Sequence, residues 1–574
     1  MSNSSEQLVL PYKKCYAEKI RGNNYLIHLW DDGGKQELEW RNYAYKESDY
    51  GEYKGFRGEK LEKVYKWDYE DKTIHYHDMQ PAQKFLIEIY GTNDEPSTSH
   101  KELFFDIEIE IGGRLTQEYI RQAPMPCTSI AWYDKFRDKW GILILDKQGK
   151  MQYSEKGNKE IIPVRTEKEL LAKWVERIRE IDPDILIGYN SDHFDIPYLY
   201  FRICNVLGEE WAMAMSPINI ARDISQWSRE RTIEFAGLET LDYLRLHKQF
   251  SMREEPSYKL DAIGDKYAGL GKIEYEGSLN RLFEDDIDKF IEYNFRDVEI
   301  LKVLDEKLGY LDLTKNLCHK GKINYHQVHS TSVVHDGAIS AYLLSKGIIP
   351  PRKERNNKLD RKIAGGYVFC PTSGLYNYIF DLDLTSLYPS IMMTLNMGKE
   401  TMIGKVYHGD EKNNRLGLKD LKEMPQELNV RVQNHRGQTK MMEVSKLVKF
   451  IEDMDIAVAA NGVMFSKDKP SVFSILLNEW FNERVRYKNL MKKYKSEGNK
   501  AMTAKYHTMQ YTIKILLNSL FGATAMQGFR FGNILIGEAI TLTGQRIIQE
   551  SALHINHTCH DLLSGNIDKE VFTN

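Results

Sequence analysis

The stretch FDLDLTSLYPSI, residues 380–391, joins an apolar, strand-like run to a turn rich in hydroxyl groups. Two carboxylates, Asp381 and Asp383, stand where the apolar run ends. An edge of this kind suits a magnesium ion and a triphosphate, because Mg²⁺ is usually held by one or two carboxylates together with substrate phosphates. Catalysis with a pair of metal ions needs more than one carboxylate, so a partner for Asp383 has to be sought elsewhere.

The composition of the whole chain is that of a soluble, globular protein with several domains. The chain has 574 residues, of which 42% are hydrophobic and 28% charged, and domains usually hold ~100 to 200 residues. It has no apolar run of membrane-spanning length and no signal-peptide pattern, so we expect a cytoplasmic protein without a membrane partner. Its six cysteines are scattered and form no Cys-x-x-Cys pair, which argues against a disulfide framework and a cysteine zinc site.

Charge is distributed unevenly, although the formal net charge is only -4. Between Arg484 and Lys505 eight cationic side chains are opposed by Glu497 alone. A solvated helix face is one interpretation of such a run. The other is a surface that binds phosphate groups.

Local sequence patterns divide the chain into regions that differ in composition and in predicted secondary structure. Residues 24–68 alternate short strand-like runs with turns and predict a small β-rich domain. From about residue 100 strands and helices mix, with a hairpin around KFRD and a helix over 166–180. The charged segment 352–362 is the best domain boundary. Beyond it, 405–440 resembles an insertion, and 473–525 predicts two long helices broken at SEGNK.

Four acids and a tyrosine form the first candidate site. In LFFDIEIEI, the strand period of two places Asp106 and Glu108 together on the face opposite the apolar residues. Asp195 stands at a predicted helix start, and Tyr293 and Asp297 are four apart on a predicted helix and share a face. Singly, these could be solvated acids, a helix cap and a surface pair. Adjacent like charges on one strand nevertheless favour a cation between them.

Taken in order, DIE, NxxxFDIPYL and YxxxD resemble the three motifs of 3'-5' exonucleases with a ribonuclease-H-like fold. The resemblance implies that Asp106, Glu108, Asp195 and Asp297 hold two divalent ions, Mg²⁺ or Mn²⁺, while Tyr293 orients the attacking water. In the same way, it implies a channel for single-stranded DNA.

That channel would be lined by Asn190 and Phe194, with the phenyl ring stacking on or wedging a terminal base. The segment SQWSRERTIEF, residues 225–235, resembles the exposed hairpin that helps part a primer end from its template in such enzymes.

DLTSLYPS, residues 383–390, resembles the first palm motif of family B DNA polymerases. The resemblance implies that Asp383 is a metal ligand, with Asp381 an extra acid on the same strand face. It also implies that Tyr388 lies under the sugar of a deoxynucleoside triphosphate and leaves no room for a 2'-hydroxyl group. The alternative is that Tyr388 is a core residue and Asp383 a helix cap.

KILLNSLFG, residues 514–522, is similar to the fingers helix of the same family. Lys514 and Asn518 share a helix face, and Arg484 and Lys488 lie four apart on the preceding helix. The resemblance implies that these four residues bind the nucleotide. Phe521 stands where the family usually has tyrosine, so a hydroxyl group near the nascent base pair is missing while ring stacking is retained.

The order of motifs implies a family B replicative polymerase of the kind found in T-even-type phages. We expect α/β and α+β domains: a small β-rich N-terminal domain, a ribonuclease-H-like 3'-5' exonuclease domain, and a partial polymerase palm with helical fingers. The expected boundaries are N-terminal domain 1–99, exonuclease 100–310, return segment and linker 311–354, palm 355–470, fingers 471–525 and continued palm 526–574.

The second metal-binding aspartate of the family, in a Tyr-x-Asp-Thr-Asp-Ser hairpin, does not occur in these 574 residues, nor does a thumb. We therefore expect either the N-terminal subunit of a split polymerase, completed by a C-terminal chain, or a fragment. Primer-template DNA, dNTPs and, through that chain, a sliding clamp are the expected partners. The location would be the host cytoplasm if a phage encodes the protein.

Two rival functions remain open: a stand-alone single-strand exonuclease with a vestigial polymerase region, and a non-catalytic scaffold for primer-template DNA. A separate alternative concerns ALHINHTCHDL, where His554, His557, Cys559 and His560 could bind zinc, although such histidines are more often surface residues.

Overall fold

The computed structural model describes residues 9–228, 231–251, 253–354, 364–370, 372–375, 377, 379, 382–409, 415–526 and 528–564. Its strands are β1 Tyr12–Arg21, β2 Asn24–Asp31, β3 Gly34–Arg41, β4 Ala44–Glu47, β5 Tyr53–Gly55, β6 Lys60–Val64, β7 Ile74–His75, β8 Glu102–Ile109, β9 Cys127–Asp134, β10 Lys139–Leu145, β11 Ser154–Lys156, β12 Lys159–Val164, β13 Ile185–Gly188, β14 Ala221–Asp223, β15 Ile233–Phe235, β16 Glu239–Asp242, β17 Ile348–Ile349, β18 Met402–Tyr407, β19 Asn429–Asn434, β20 Thr439–Glu443, β21 Ile456–Val458 and β22 Val463–Ser466.

The α-helices lie between and after these strands. They are α1 Pro81–Tyr90, α2 Gln117–Gln122, α3 Glu167–Ile181, α4 Asp195–Leu207, α5 Glu209–Met213, α6 Tyr243–Phe250, α7 Leu260–Ile263, α8 Leu279–Asp285, α9 Ile287–Leu308, α10 Tyr310–Gly321, α11 Thr331–Ser345, α12 Leu387–Thr394, α13 Leu418–Glu423, α14 Val444–Asp453, α15 Val472–Ser496, α16 Lys500–Thr524 and α17 Ile534–Leu563. A π-helical turn spans Gly264–Ala268 and a 3₁₀ turn Tyr325–His329. None of the helices in the described part of the chain has the length and apolarity that crossing a membrane requires.

The chain forms two compact units, each built from two separate stretches. The first contains residues 1–43 and 79–330, and the second contains 44–78 and 331–574. The strands predicted over 24–68 therefore belong to two different sheets: β2 and β3 form a sheet with β1 in the first unit, and β4, β5 and β6 form a sheet with β7 and β17 in the second. The parallel pairing of β17 with β5 joins positions far apart in sequence, which local patterns do not register.

A mixed sheet with the strand order β11-β12-β10-β9-β8-β13-β16 is the centre of the first unit. The predicted hairpin is present as antiparallel β9 and β10, whereas β8 pairs in parallel with β13. One face of β8 packs Leu103, Phe105 and Ile107 into a core shared with Trp174 of α3. The alternation expected for this strand is confirmed, and its acids face α9.

The predicted pair of long helices in the second unit is confirmed as α15 and α16. The break at SEGNK has a local cause. Gly498 has φ +71° and reverses the chain after α15, and the side chain of Asn499 then caps α16 by accepting a hydrogen bond from the amide of Met502 at 3.1 Å. Because the two helices pack along their length, they present side chains from both to a common surface.

The region expected to be an insertion, 405–440, is part of a sheet with the order β20-β19-β18-β22-β21. Val406, Val430, Leu447 and Met464 lie in its core, with α13 and α14 packed against it. Within its described residues, the region thus contains strands and a helix that share a core.

The strand expected before Asp383 falls mainly on residues that lie outside the described part of the chain. Leu382, Asp383 and Leu384 have no regular structure, and α12 begins at Leu387. Asp381 and most of the linker 352–362 lie outside the described residues.

Candidate active site

Three carboxylates converge at one point in the first unit. Asp106 and Glu108 lie on the outer face of β8, and Asp297 lies on α9, which crosses that face. One oxygen from each is within 4.8 Å of the others. Because these residues come from two elements with different periods, the strand and helix have to be packed together before the three oxygens can meet.

The carboxylates are held in an environment that disfavours three negative charges. Burial, together with repulsion from Asp297, raises the pKa of Glu108 to about 8. Burial and the neighbouring acids likewise raise the pKa of Asp106, and burial raises the pKa of Asp297. Moreover, Asp297 Oδ1 is buried and has no hydrogen-bond partner among the described residues. A divalent cation fits this set, because the unpartnered oxygen of Asp297 could coordinate it and its charge would offset the repulsion among the carboxylates.

Asp195 lies next to this group but is not one of the three converging acids. It is the first residue of α4, as the position of Pro197 predicts, and its Oδ1 accepts a hydrogen bond from the amide of Ile107 at 3.4 Å. Burial raises the pKa of Asp195 to about 7. Its charge in turn contributes to the raised pKa of Asp106, so the two acids are close enough to interact.

Lys272 is a site residue that sequence reasoning missed. Its ammonium group forms an ion pair with Asp297 and donates a hydrogen bond to the hydroxyl oxygen of Tyr293 at 2.9 Å. Although burial opposes it, attraction to Asp297 and Asp106 holds the pKa of Lys272 well above its usual range. Lys272 belongs to an irregular segment, GLGKIEYEG, so no periodic pattern marks it.

Asn294 is a second site residue that sequence reasoning missed, and it orients the carboxylate of Asp106. Asn294 is fully buried on α9 and donates to Asp106 Oδ2 at 2.7 Å. Its Oδ1 accepts a hydrogen bond from the hydroxyl group of Ser129 at 2.7 Å. This chain of bonds fixes the Asp106 carboxylate. The spacing could have revealed it, because Asn294 and Asp297 are three apart and share a helix face.

The residues expected to contact single-stranded DNA lie in the loop that precedes α4. Asn190 is exposed and has φ +60°, and its amide donates to Asp242 Oδ1 at 2.8 Å. Phe194 is half-buried and packs at 5.8 Å from the ring of Tyr198. The hairpin expected at 225–235 has a base formed by antiparallel β14 and β15.

In the second unit, Asp383 is exposed in the irregular segment before α12, and Tyr388 lies on that helix. The rings of Tyr388 and Phe521 are 4.4 Å apart between centroids. Tyr388 is half-buried, and its ring contacts α16, the helix that contains Phe521. Phe521, which departs from the family pattern, therefore lies against Tyr388, which matches it.

Cationic side chains of α15 and α16 lie close enough to one another to interact. Partial burial and repulsion from Arg484 and Lys488 lower the pKa of Lys514. Burial lowers the pKa of Arg484, whose Nε is buried without a hydrogen-bond partner among the described residues. Asn518 is exposed on α16, one turn beyond Lys514. A lysine repelled by two neighbouring cations and a donor without an acceptor among the described residues form a surface suited to a polyphosphate.

The zinc alternative gains no support within the described residues. His554, His557, Cys559 and His560 lie on α17 and do not form a group that could hold a metal ion, whereas Asp106, Glu108 and Asp297 do.

Comparison with known proteins points to one family. The model described as DNA polymerase family B matches residues 331–572, and that described as DNA polymerase family B, exonuclease domain, matches residues 76–263. The DNA-directed DNA polymerase of Escherichia phage RB69 is 28% identical over 511 residues, which cover 80% of this chain and 55% of the relative. That of Enterobacteria phage T4 is 28% identical over 427 residues, covering 71% and 47%.

A more distant relative is the DNA polymerase delta catalytic subunit of Schizosaccharomyces pombe, 23% identical over 411 residues that cover 68% of this chain and 34% of the relative. The chain spans about half the length of the two phage relatives.

Proposed function

The chain belongs to DNA polymerase family B, and we propose that its first unit is a 3'-5' exonuclease that removes nucleotides from single-stranded DNA ends. The observation that carries this proposal is the convergence of Asp106, Glu108 and Asp297, with their raised pKa values and an unpartnered oxygen. With Asp195, these acids would hold two Mg²⁺ or Mn²⁺ ions. When bound, the ions supply an activated water and stabilise the leaving oxygen.

Tyr293 and Lys272 act on the same reaction through their hydrogen bonds. Because Lys272 donates to the phenol oxygen of Tyr293, the phenol proton is directed towards another acceptor. In the complex with DNA this acceptor would be the attacking water. The lysine thereby sets the orientation of the tyrosine, and its charge offsets part of the repulsion among the acids.

The test is the release of nucleotides from single-stranded DNA in the presence of Mg²⁺ or Mn²⁺. Asp106→Ala should abolish release, whereas Asp49→Ala, a change of an exposed acid, should leave it unchanged. Absence of release from purified protein, or equal release by both variants, would contradict the exonuclease assignment and favour a non-catalytic scaffold.

For the second unit we propose the nucleotide-binding part of a polymerase site. Arg484, Lys488, Lys514 and Asn518 would bind the triphosphate, Tyr388 and Phe521 would contact the sugar and base, and Asp383 would ligate a metal ion. The support is the repulsion of Lys514 by Arg484 and Lys488, together with Arg484 Nε, which has no hydrogen-bond partner among the described residues. Retained charges of this kind argue against a vestigial polymerase region, since they cost stability when no anion is bound.

Template-directed synthesis on primer-template DNA would need a second metal-binding carboxylate, which we propose is supplied by a C-terminal chain carrying the palm hairpin and thumb. That chain would also provide the contact with a sliding clamp, and the assembly would work in the cytoplasm of the host if a phage encodes it. Primer extension should appear when such a chain is added and should disappear with Asp383→Ala. Extension by the 574-residue chain alone would refute this division.

A further inference from the structure

A stripe of cationic side chains runs along one flank of the helices α15 and α16 in the second unit. On α15 its members are spaced by four, four and three residues, which is the repeat of a single helix face: Arg484, Lys488, Lys492 and Lys495. Arg484 and Lys488, the inner cations, belong to the proposed triphosphate site. Lys492 and Lys495 are exposed and have no role in the functions proposed above. At a rise of about 1.5 Å per residue, this part of the stripe is about 16 Å long.

The helix α16 continues the stripe on the same flank. The ammonium group of Lys514 lies 5.7 Å from the centroid of the Tyr511 ring, which in turn stacks on the ring of His507 at 6.1 Å. Lys500, the first residue of α16, precedes His507 by seven residues and so lies on the same helix face. Because the inner cations of α15 repel Lys514, the two faces belong to one side of the helix pair.

The stacking of Tyr494 on Tyr506 fixes the level at which the two helices meet. Their ring planes differ by 7° and their centroids are 5.5 Å apart. Lys492 and Lys495 are one or two residues from Tyr494, and His507 follows Tyr506 directly, so these lysines lie level with His507. The stripe therefore continues from the inner cations towards the turn between the two helices.

Acidic side chains do not neutralise the outer part of the stripe. Glu497 is the only acid between residues 484 and 505. It lies 4.0 Å from Lys493, which helical periodicity places on the other flank. Lys492, Lys495 and Lys500, the outer lysines, form no ion pair with a described residue. Cations that remain uncompensated in this way attract a polyanion.

The outer part of the stripe suits phosphate groups better than nucleic-acid bases. Sites for single strands combine cations with aromatic side chains on which successive bases stack. Here the rings of Tyr494 and Tyr506 stack on each other and are half-buried, and Tyr511 stacks on His507. The outer lysines are exposed, and lysine binds phosphate as a point charge. A mobile triphosphate, which needs no contact through its base, fits such a surface.

We propose that the outer lysines are the first to bind the triphosphate of an incoming deoxynucleoside triphosphate, and that they transfer it to the inner cations and Lys514. The proposal rests on the nucleotide-binding function proposed above for the second unit. A surface with one sign of charge raises the association rate of an oppositely charged ligand by about 10- to 1000-fold, and salt screens this effect. The outer lysines thus act on the rate of arrival, whereas the inner cations hold the bound nucleotide.

The experiment measures association and dissociation of a fluorescent deoxynucleoside triphosphate by stopped flow, with Mg²⁺ and the full chain at a series of NaCl concentrations. The test variant is Lys492→Gln/Lys495→Gln. The matched control, Lys493→Gln/Lys505→Gln, removes the same charge from exposed lysines on the other flank of the helix pair. Lys514→Gln shows the effect of losing an inner contact. Circular dichroism and thermal unfolding check that each variant is folded.

At low salt, we expect the test variant to slow association by about ten-fold and to leave dissociation nearly unchanged. The control should associate at a rate close to that of wild type, and Lys514→Gln should instead speed dissociation. At high salt, the test variant and wild type should associate equally fast, because screening removes the attraction of the outer lysines. A merely structural role of these lysines would not produce this dependence on salt.

Equal slowing by the test variant and the control would overturn the proposal, because net charge and not the stripe would then govern association. Unchanged nucleotide association in the test variant would also overturn it, and weaker binding of an oligo(dT) single strand by the same variant would assign the stripe to nucleic acid. Failure of wild type to bind the nucleotide at any salt concentration would instead refute the function on which the proposal rests.

Discussion

Replacement of Lys272 by methionine tests whether this lysine balances the buried carboxylates. The side chain of Lys272 is 31% exposed and that of Asp297 is 3% exposed, so the pair is neither a surface nor a fully buried ion pair. Breaking a buried pair costs about 3 to 5 kcal/mol, and an exposed pair contributes about 0 to 1 kcal/mol. We expect an intermediate loss of about 2 kcal/mol in the metal-free protein.

The expected loss depends on metal and on pH in a defined direction. Because the ammonium group of Lys272 repels a bound cation, Lys272→Met should bind a divalent cation more tightly than wild type. At saturation each protein gains RT ln(1 + [L]/Kd), so a Kd about 30-fold lower in the variant offsets about 2 kcal/mol. Saturating Mn²⁺ should therefore close most of the gap. The gap should be largest above pH 8, where Glu108 is ionised, and should shrink at lower pH because the raised pKa of Glu108, about 8, lets a proton neutralise it instead.

Unfolding in urea, followed in EDTA and in excess Mn²⁺, measures the effect. Lys302→Met is the control, because Lys302 forms an i,i+4 pair with Glu306 on α9 and should cost no more than about 0.5 kcal/mol in either condition. The reasoning is refuted if Lys272→Met is as stable as wild type in EDTA, or if its loss of stability persists undiminished with Mn²⁺.

Three further predictions concern other groups. Asn294→Ala, which removes the hydrogen bond to Asp106, should lower exonuclease activity or metal affinity by about 10- to 100-fold, as measured by nucleotide release against Mn²⁺ concentration. Burial lowers the pKa of His335 to about 3. Because the unfolded chain takes up the proton near pH 6.5, the contribution of neutral His335 to stability is present above that pH and is lost as the pH falls below it. His335→Gln should therefore flatten the decline, between pH 6.5 and 4, in the free energy of unfolding measured with urea. Lys514→Gln should weaken binding of a deoxynucleoside triphosphate by about ten-fold or more, seen as reduced protection of α15 and α16 from hydrogen exchange.

Elements with a local signal could be predicted from the sequence. The period of two in β8, the turn between β9 and β10, and the break at SEGNK are each encoded within a few residues, and the structure has all three. Three spaced motifs that share a family pattern predict that Asp106, Glu108, Asp195 and Asp297 meet, and Asp106, Glu108 and Asp297 do converge while Asp195 lies beside them.

The parts that could not be predicted depend on contacts between distant positions. Lys272 reaches Asp297 from an irregular segment, and Asn294 meets Asp106 only when α9 crosses the sheet. Local pattern indicates what a segment could become, and long-range pairing decides the outcome.

The pairing of β5 with β17 has a consequence for synthesis and for the choice of expression boundaries. Gly55 and Ile349 are register partners, and at about 5 to 20 residues per second the ribosome needs roughly 15 to 60 s to make the chain between them. Throughout this interval the edge of β5 that pairs with β17 in the folded protein is unpaired. An unpaired edge of this kind could aggregate with other chains or be bound by a chaperone. For the same reason, a recombinant piece cut at residue 331 would lack four of the five strands of that sheet and should be insoluble unless residues 44–78 are supplied with it.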